Sequence, residues 1–215
     1  MNKTLMGFAL CLAIFAGCAV NNQVVRNEAP KTDAPVTAAV EVPDVKLLFG
    51  FEDDKEIASL YKENDDTRDY PIEKVTENAT QGKYAIKISF PEKGSWPGPH
   101  FIEFSHDWSG YDLLKFDVYN PTKQIVKVGF AGADADANFT EKNYFGEYAK
   151  RFGSERVARP GKNTIELDIG GLVVEDGSRP VNFSNLKRFG IYMSSRPANM
   201  VLYLDNIRLE KNKEE

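Results

Sequence analysis

Cysteine is almost absent from this chain: among its 215 residues only Cys11 and Cys18 carry thiols. Histidine is equally scarce, with His100 and His106 alone. Two histidines six apart without thiolates do not build a zinc site. No GxSxG turn is present to hold a nucleophilic serine. There is no basic run, and the formal charge is −5. A mildly acidic chain gains little non-specific attraction to nucleic acid, so no nucleic-acid partner is expected. The longest apolar stretch, Leu5 to Ala16, is too short to cross a bilayer as a helix. No repeat at fixed period occurs.

What is present at the start is a signal. "MNKTLMGFALCLAIFAGC" places one cation, Lys3, before an apolar run and small residues, the pattern of a secretory leader. "FAGC" followed by "AVNNQ" resembles a bacterial lipobox, with Phe15 where leucine is usual. That resemblance implies cleavage before Cys18 and lipid on it. Residues 1–17 are expected to leave as a lipoprotein signal peptide, taking Lys3 and moving the charge from −5 to −6. Cys11 leaves too, so no intramolecular disulfide can form although an exported compartment would permit one. Acyl chains hold a protein to a membrane by burying methylenes. Ala19 after the cysteine points to the outer membrane where the source has two. Residues 18–44, with Pro30, Pro35 and Pro43 and no aromatic residue, read as the lipidated cysteine and a flexible tether. Residues 45–210 suffice for one domain with a full core, and 211–215 form a charged tail.

Within the domain, period-two alternation recurs. "KYAIKISF" sets Tyr84, Ile86, Ile88 and Phe90 against Lys83, Lys87 and Ser89. "LLKFDVYN", "KVGFAG", "NTIELDI" and "KRFGIYM" alternate likewise. Turn signals such as "TQGK", "DWSGYD", "YNPTK", "RPGKN" and "EDGSRP" separate them. Only "EIASLYKEND", near 56–65, reads as helical. Many short strands with turns between them predict an all-β antiparallel sandwich in a single domain.

Catalytic constellations are thin. Glu166 and Asp168 share a strand face, but Gly170 and Gly171 follow where a further acid would be needed. A solvated strand face explains them better than glycoside hydrolysis, which needs two carboxyls flanking one bond. A lyase set of His100, Tyr144 and Arg151 has no spacing that demands it. "DADANFTEKNYF" (134–145) opens like a calcium loop, yet Phe139 and Phe145 stand where an EF-hand needs glycine and glutamate. It reads as a solvated loop able to bind a ligand. No enzyme is expected.

One strand raises a question of charge. In "VLYLDNIRL" (201–209), strict alternation places Asp205 on the side of Val201, Tyr203, Ile207 and Leu209. A buried carboxylate costs several kcal/mol unless something compensates it. Glu52, which ends "LLFGFE", can approach it if the first and last strands lie together. The two would then share a Ca²⁺, with carbonyls from the turn "NATQGK" (78–83) completing the oxygens. A lysine or arginine partner, or a hydrogen-bonded carboxylate near a strand end, are the alternatives.

"LFGFEDD", "VTENATQGKYAIKISF", "DWSGYDLLKFDVYNPT", "RPGKNTIELDI", "FSNLKRFGIYM" and "VLYLDNIRL" occur in the order seen in galactose-binding-like β-jelly-roll domains. Over nearly all of 46–210 the chain resembles carbohydrate-binding modules of that class and complex I intermediate-associated-protein-like domains. The resemblance implies a jelly roll and a structural calcium held by the positions of Glu52 and Asp205. It implies a sugar ligand less strongly, because such domains also serve other roles. Ligand candidates come from residue chemistry: Trp96 in a Gly/Pro-rich loop, and Tyr144, Tyr148 and Arg151, which combine aromatic faces with a forked donor. Trp108 is expected to pack as a plug. Together these features predict a cell-envelope lipoprotein that binds a polysaccharide or oligosaccharide without catalysis. An envelope protein partner is the alternative, and a polysaccharide-active enzyme comes third.

Overall fold

The computed structural model describes residues 42–61, 70–90, 97–139, 146–195 and 199–212, without the side chains of Tyr61 and Ser195. Cys18, Trp96 and Tyr144 lie outside the described residues. Among the described residues the strands are β1 (Val45–Phe49), β2 (Leu60–Tyr61), β3 (Ile72–Val75), β4 (Ala85–Ser89), β5 (His100–Phe101), β6 (Leu113–Asn120), β7 (Val126–Asp134), β8 (Phe152–Ala158), β9 (Gly161–Asp168), β10 (Leu186–Ser195) and β11 (Val201–Glu210), with one α-helix, α1 (Asp54–Ala58), and a 3-10 turn at Tyr148–Lys150. They form two antiparallel sheets. One has the order β3-β4-β11-β6-β9 with β1 also paired to β11, and the other β2-β5-β10-β7-β8.

The alternation read from the sequence builds the core between them. Ile86, Ile88, Leu114, Phe116, Val118, Leu202 and Leu204 face inward from the six-stranded sheet, and Val126, Val128, Phe130, Phe189, Ile191 and Met193 from the five-stranded one. Trp108 is fully buried. It lies parallel to Phe183 and edge-on to Phe189, and its indole N–H donates to the Ser105 carbonyl at 2.8 Å. A plug is its role, as expected.

Three readings change. The helix is short: the Asp53 carboxylate caps it by accepting from Lys55 N–H at 2.9 Å. It stops at Ala58 because Leu60 and Tyr61 pair with Phe101 and His100, a tertiary contact that outweighs weak local propensity. Asp134 is not solvated. Its carboxylate is fully buried, receives both Arg179 Nη groups at 2.6 and 2.8 Å, and accepts Asn182 N–H at 2.7 Å. Asp205 is not on the core side of its strand. Pairing with β6 runs to Asp205↔Asp117 and resumes at Arg208↔Lys115, three residues along β11 (205 to 208) against two along β6 (117 to 115). That β-bulge, with Asn206 at φ +54°, flips the parity. Leu202 and Leu204 face the core before it, and Ile207 and Leu209 after it, so Val201, Tyr203 and Asp205 share the outer face.

Candidate functional site

The outer face of the five-stranded sheet is floored by very small residues. Because Val126, Val128 and Phe130 point inward, Gly129 and Ala131 of β7 point outward. Register then places His100, Gly190, Ala131 and Gly153 in one row across four strands. Tyr192, Gly129 and Glu155 make the next row. A Cβ on Gly129 would come within 2.1 Å of the Tyr192 ring, and one on Gly190 within 2.5 Å of the His100 ring. The two rings therefore lie down over the glycines, and any larger residue would push them off. The result is a trough with a backbone floor and aromatic inlays.

One wall is the segment 146–151. It is tied down by Glu147 N–H to the Ala137 carbonyl at 2.6 Å, and by Lys150 to Asp176 at 2.6 Å and Ser178 at 3.0 Å. Tyr148 stands on this wall, 70% exposed, with its ring beside the Arg151 guanidinium at 5.8 Å. Burial, with Glu155, Glu175 and Tyr148 nearby, pushes the Tyr192 phenol up to about 12, so it remains a neutral donor at any ordinary pH. Arg188, the next outward residue of β10, is buried with its guanidinium 5.3 Å from the Phe139 ring. Aromatic faces, a neutral phenol and nearby carboxylates suit a flat, hydroxyl-rich ligand.

Of the sequence-predicted ligand residues, Tyr148 is presented to solvent at this trough. Arg151 is half-buried and donates through Nε and Nη2 to the Gly146 carbonyl at 3.3 and 2.9 Å, which makes it a brace of the wall. Tyr192, Gly129 and Gly190 were not singled out from the sequence. Their signal was glycine at outward positions in "KVGFAG" and "FGIYM", which alternation alone treats as neutral. His100 of the lyase set lies in the trough; the exposed Glu166 is paired with Lys115 at 3.2 Å, an ordinary solvated face.

Glu52 and Asp205 both accept backbone amides of the turn 78–84. Asp205 Oδ2 accepts the N–H groups of Thr80 and Gln81 at 2.7 and 2.8 Å, and Oδ1 that of Asn206 at 2.6 Å. Glu52 Oε1 accepts those of Lys83 and Tyr84 at 2.7 and 2.8 Å. Gly82 has φ +64°, and a Cβ there would meet Glu52 Oε1 at 2.4 Å, so glycine is required. The turn offers amide hydrogens where calcium needs oxygens, and these residues as arranged do not fit a shared cation. Among the described residues no lysine or arginine pairs with Asp205. The Tyr84 and Lys83 amides hold the Glu52 carboxyl below its usual value, whereas burial pushes that of Asp205 up despite its donors.

No family model and no curated protein matches the sequence. Solved structures do. The family 11 carbohydrate-binding module from Clostridium thermocellum, in complex with a β-1,3-1,4-mixed-linked tetrasaccharide, aligns over 81% of this chain and 100% of its own, at 13% identity and a TM-score of 0.59. The fold is shared with carbohydrate-binding modules. A second structure of the family 11 module, from the cellulosomal cellulase Lic26A-Cel5E of that organism, covers 81% and 99% at 14% identity and a TM-score of 0.59. An exo-β-agarase aligns over 79% of this chain but only 25% of its own, at 15% identity and a TM-score of 0.58. At such identities the likeness establishes the jelly-roll architecture; what the domain binds has to come from its own residues.

Proposed function

We propose that this chain is an exported lipoprotein whose jelly-roll domain binds a polysaccharide or oligosaccharide, without catalysis, at the cell envelope. The observation that carries the reading is the trough across the five-stranded sheet, where glycine floors let the rings of Tyr192 and His100 lie flat beside exposed Tyr148. A sugar chain crossing the strands would stack on those rings and donate hydroxyls to Glu155. The fold shared with a module solved in complex with a tetrasaccharide supports it. Titration calorimetry of the full chain against a panel of soluble glycans tests it. Tyr192→Ala is expected to lower affinity roughly tenfold or more while keeping the melting curve near wild type. Binding of no glycan in the panel, or equal binding by the variant, would overturn the assignment.

The anchor is a separate part of the proposal. Cys18→Ser is expected to move the protein from the membrane fraction to the soluble exported one. An unchanged distribution would remove the lipid from the reading.

A further inference from the structure

The opposite face of the sandwich carries a second constellation that the trough does not use. Register across the six-stranded sheet sets Glu73, Lys87, Tyr203, Tyr119 and Lys162 in one row over five strands. The two tyrosines meet edge to face, with centroids 5.8 Å apart. Beside this row lies an open depression of about 170 Å³, lined by Asn78, Thr80, Asp117, Tyr119, Lys162 and Thr164. That is below the usual range for a drug-sized ligand and suits one sugar ring better than a chain.

The lining is prepared for hydroxyl recognition. Asp117 Oδ2 accepts the Thr80 hydroxyl at 2.7 Å and Asn206 Nδ2 at 2.9 Å, and Oδ1 accepts the Thr164 hydroxyl at 2.8 Å. Burial pushes the Asp117 carboxyl up, but these donors and Arg208 hold it below its usual value, so it stays an anion that takes the Thr164 proton and shares the Thr80 proton with Asp205 Oδ2, 3.2 Å from the same hydroxyl. Each threonine oxygen is thereby left as an acceptor. Thr80 is positioned because its own N–H is seated on Asp205. Lys162 is exposed and makes no ion pair among the described residues, whereas Asp117 lies 3.5 Å from Arg208, which also pairs with Glu210 at 2.7 Å. Lys162 is thus the exposed cation of this lining with its charge left to pair an incoming carboxylate.

We propose that this depression binds a single pyranose residue bearing a carboxylate, a uronate. Its ring packs on Tyr119, its hydroxyls donate to Thr80 and Thr164, and its carboxylate pairs with Lys162. The site is independent of the trough, on the other sheet, and stands or falls separately.

The test is calorimetry of the full chain with a trimer of α-1,4-linked galacturonate and with a neutral glucose trimer. The uronate trimer is expected to bind, more weakly as salt rises, and the neutral trimer at least tenfold more weakly at this face. Lys162→Gln is expected to lose about tenfold in uronate affinity, with Lys162→Arg retaining most of it. Lys162 is exposed, so its variants keep the fold, and a matching melting curve checks this. Tyr192→Ala should leave uronate binding unchanged. The proposal is overturned if the uronate trimer does not bind, if Lys162→Gln binds it as wild type does, or if Tyr192→Ala alone removes binding.

Discussion

On the five-stranded sheet the outward side chains of β10, β7 and β8 are nearly deleted at Gly190, Gly129, Ala131 and Gly153, and the rings of Tyr192 and His100 are laid over Gly129 and Gly190. On the six-stranded sheet the equivalent positions carry long polar chains bound to one another. Lys115 joins Glu166 and Glu210, and Arg208 joins Glu210 at 2.7 Å and Asp117 at 3.5 Å. One surface makes room by omission. The other is filled, and leaves a ring-sized depression where the turn 78–84 folds over it. A sandwich shields its core with either surface, so the difference in outward residues is free to serve recognition. Each surface also depends on one buried carboxylate: Asp134 at the end of β7 and Asp205 at the bulge of β11.

The largest effect is expected from breaking the first of these. Asp134→Ala strands Arg179 and the Asn182 N–H, and should destabilise by about 3–4 kcal/mol, lowering the melting temperature by roughly 6–16 °C in scanning calorimetry. The sign with pH is defined. Burial raises the Asp134 carboxyl, but Arg179 and Asn182 outweigh it and hold the value below normal. Its contribution is therefore complete above the unfolded pKa of about 3.9 and is lost as pH falls through the folded value. The gap between wild type and Asp134→Asn should narrow below about pH 3.9; a gap that widens there would reverse the assignment.

Asp205→Ala should come next, at about 2–3 kcal/mol, because three backbone donors lose their acceptor. It sharpens the comparison between faces. Freed from Asp205, Thr80 leaves the depression, while glycan affinity at the trough should stay within about twofold, a change of roughly 0.4 kcal/mol. Equal loss at both faces would show that the carboxylate serves the whole sandwich.

The smallest effect concerns calcium. With the turn's amide hydrogens already seated on Glu52 and Asp205, melting curves with excess calcium and with chelator are expected to coincide. A bound cation would instead stabilise by about 2.7 kcal/mol at a hundredfold excess over its dissociation constant. A rise of that order would mean that the turn re-forms with carbonyls inward.

Much of the fold was legible because burial acts residue by residue. Ile165 and Leu167, or Phe189, Ile191 and Met193, face inward on period two with no knowledge of their neighbours. The edge strands β3 and β8 were not legible: in "FGSERVA" Ser154 is half-buried, Glu155, Arg156 and Val157 are exposed, and no apolar stripe runs along the strand. Strand order led to the turn 78–84, whose amides Glu52 and Asp205 both accept. The turn's chemistry was not legible, since whether a turn offers N–H or C=O depends on backbone angles that side-chain identities do not state.

By itself the sequence determined the class of fold, the inward faces of the long strands and the burial of Trp108, because apolar periodicity and turn residues act locally. Only the tertiary structure decided which carboxylates are buried and by what they are held. The bulge at Asn206 changes the parity of β11 through pairing with β6, and Arg179 reaches Asp134 across 45 residues of chain. Both require distant segments to be brought together. The trough has the same origin: glycines on three strands become one floor only when register aligns them, because hydrogen bonding between strands, and no local preference, sets that register.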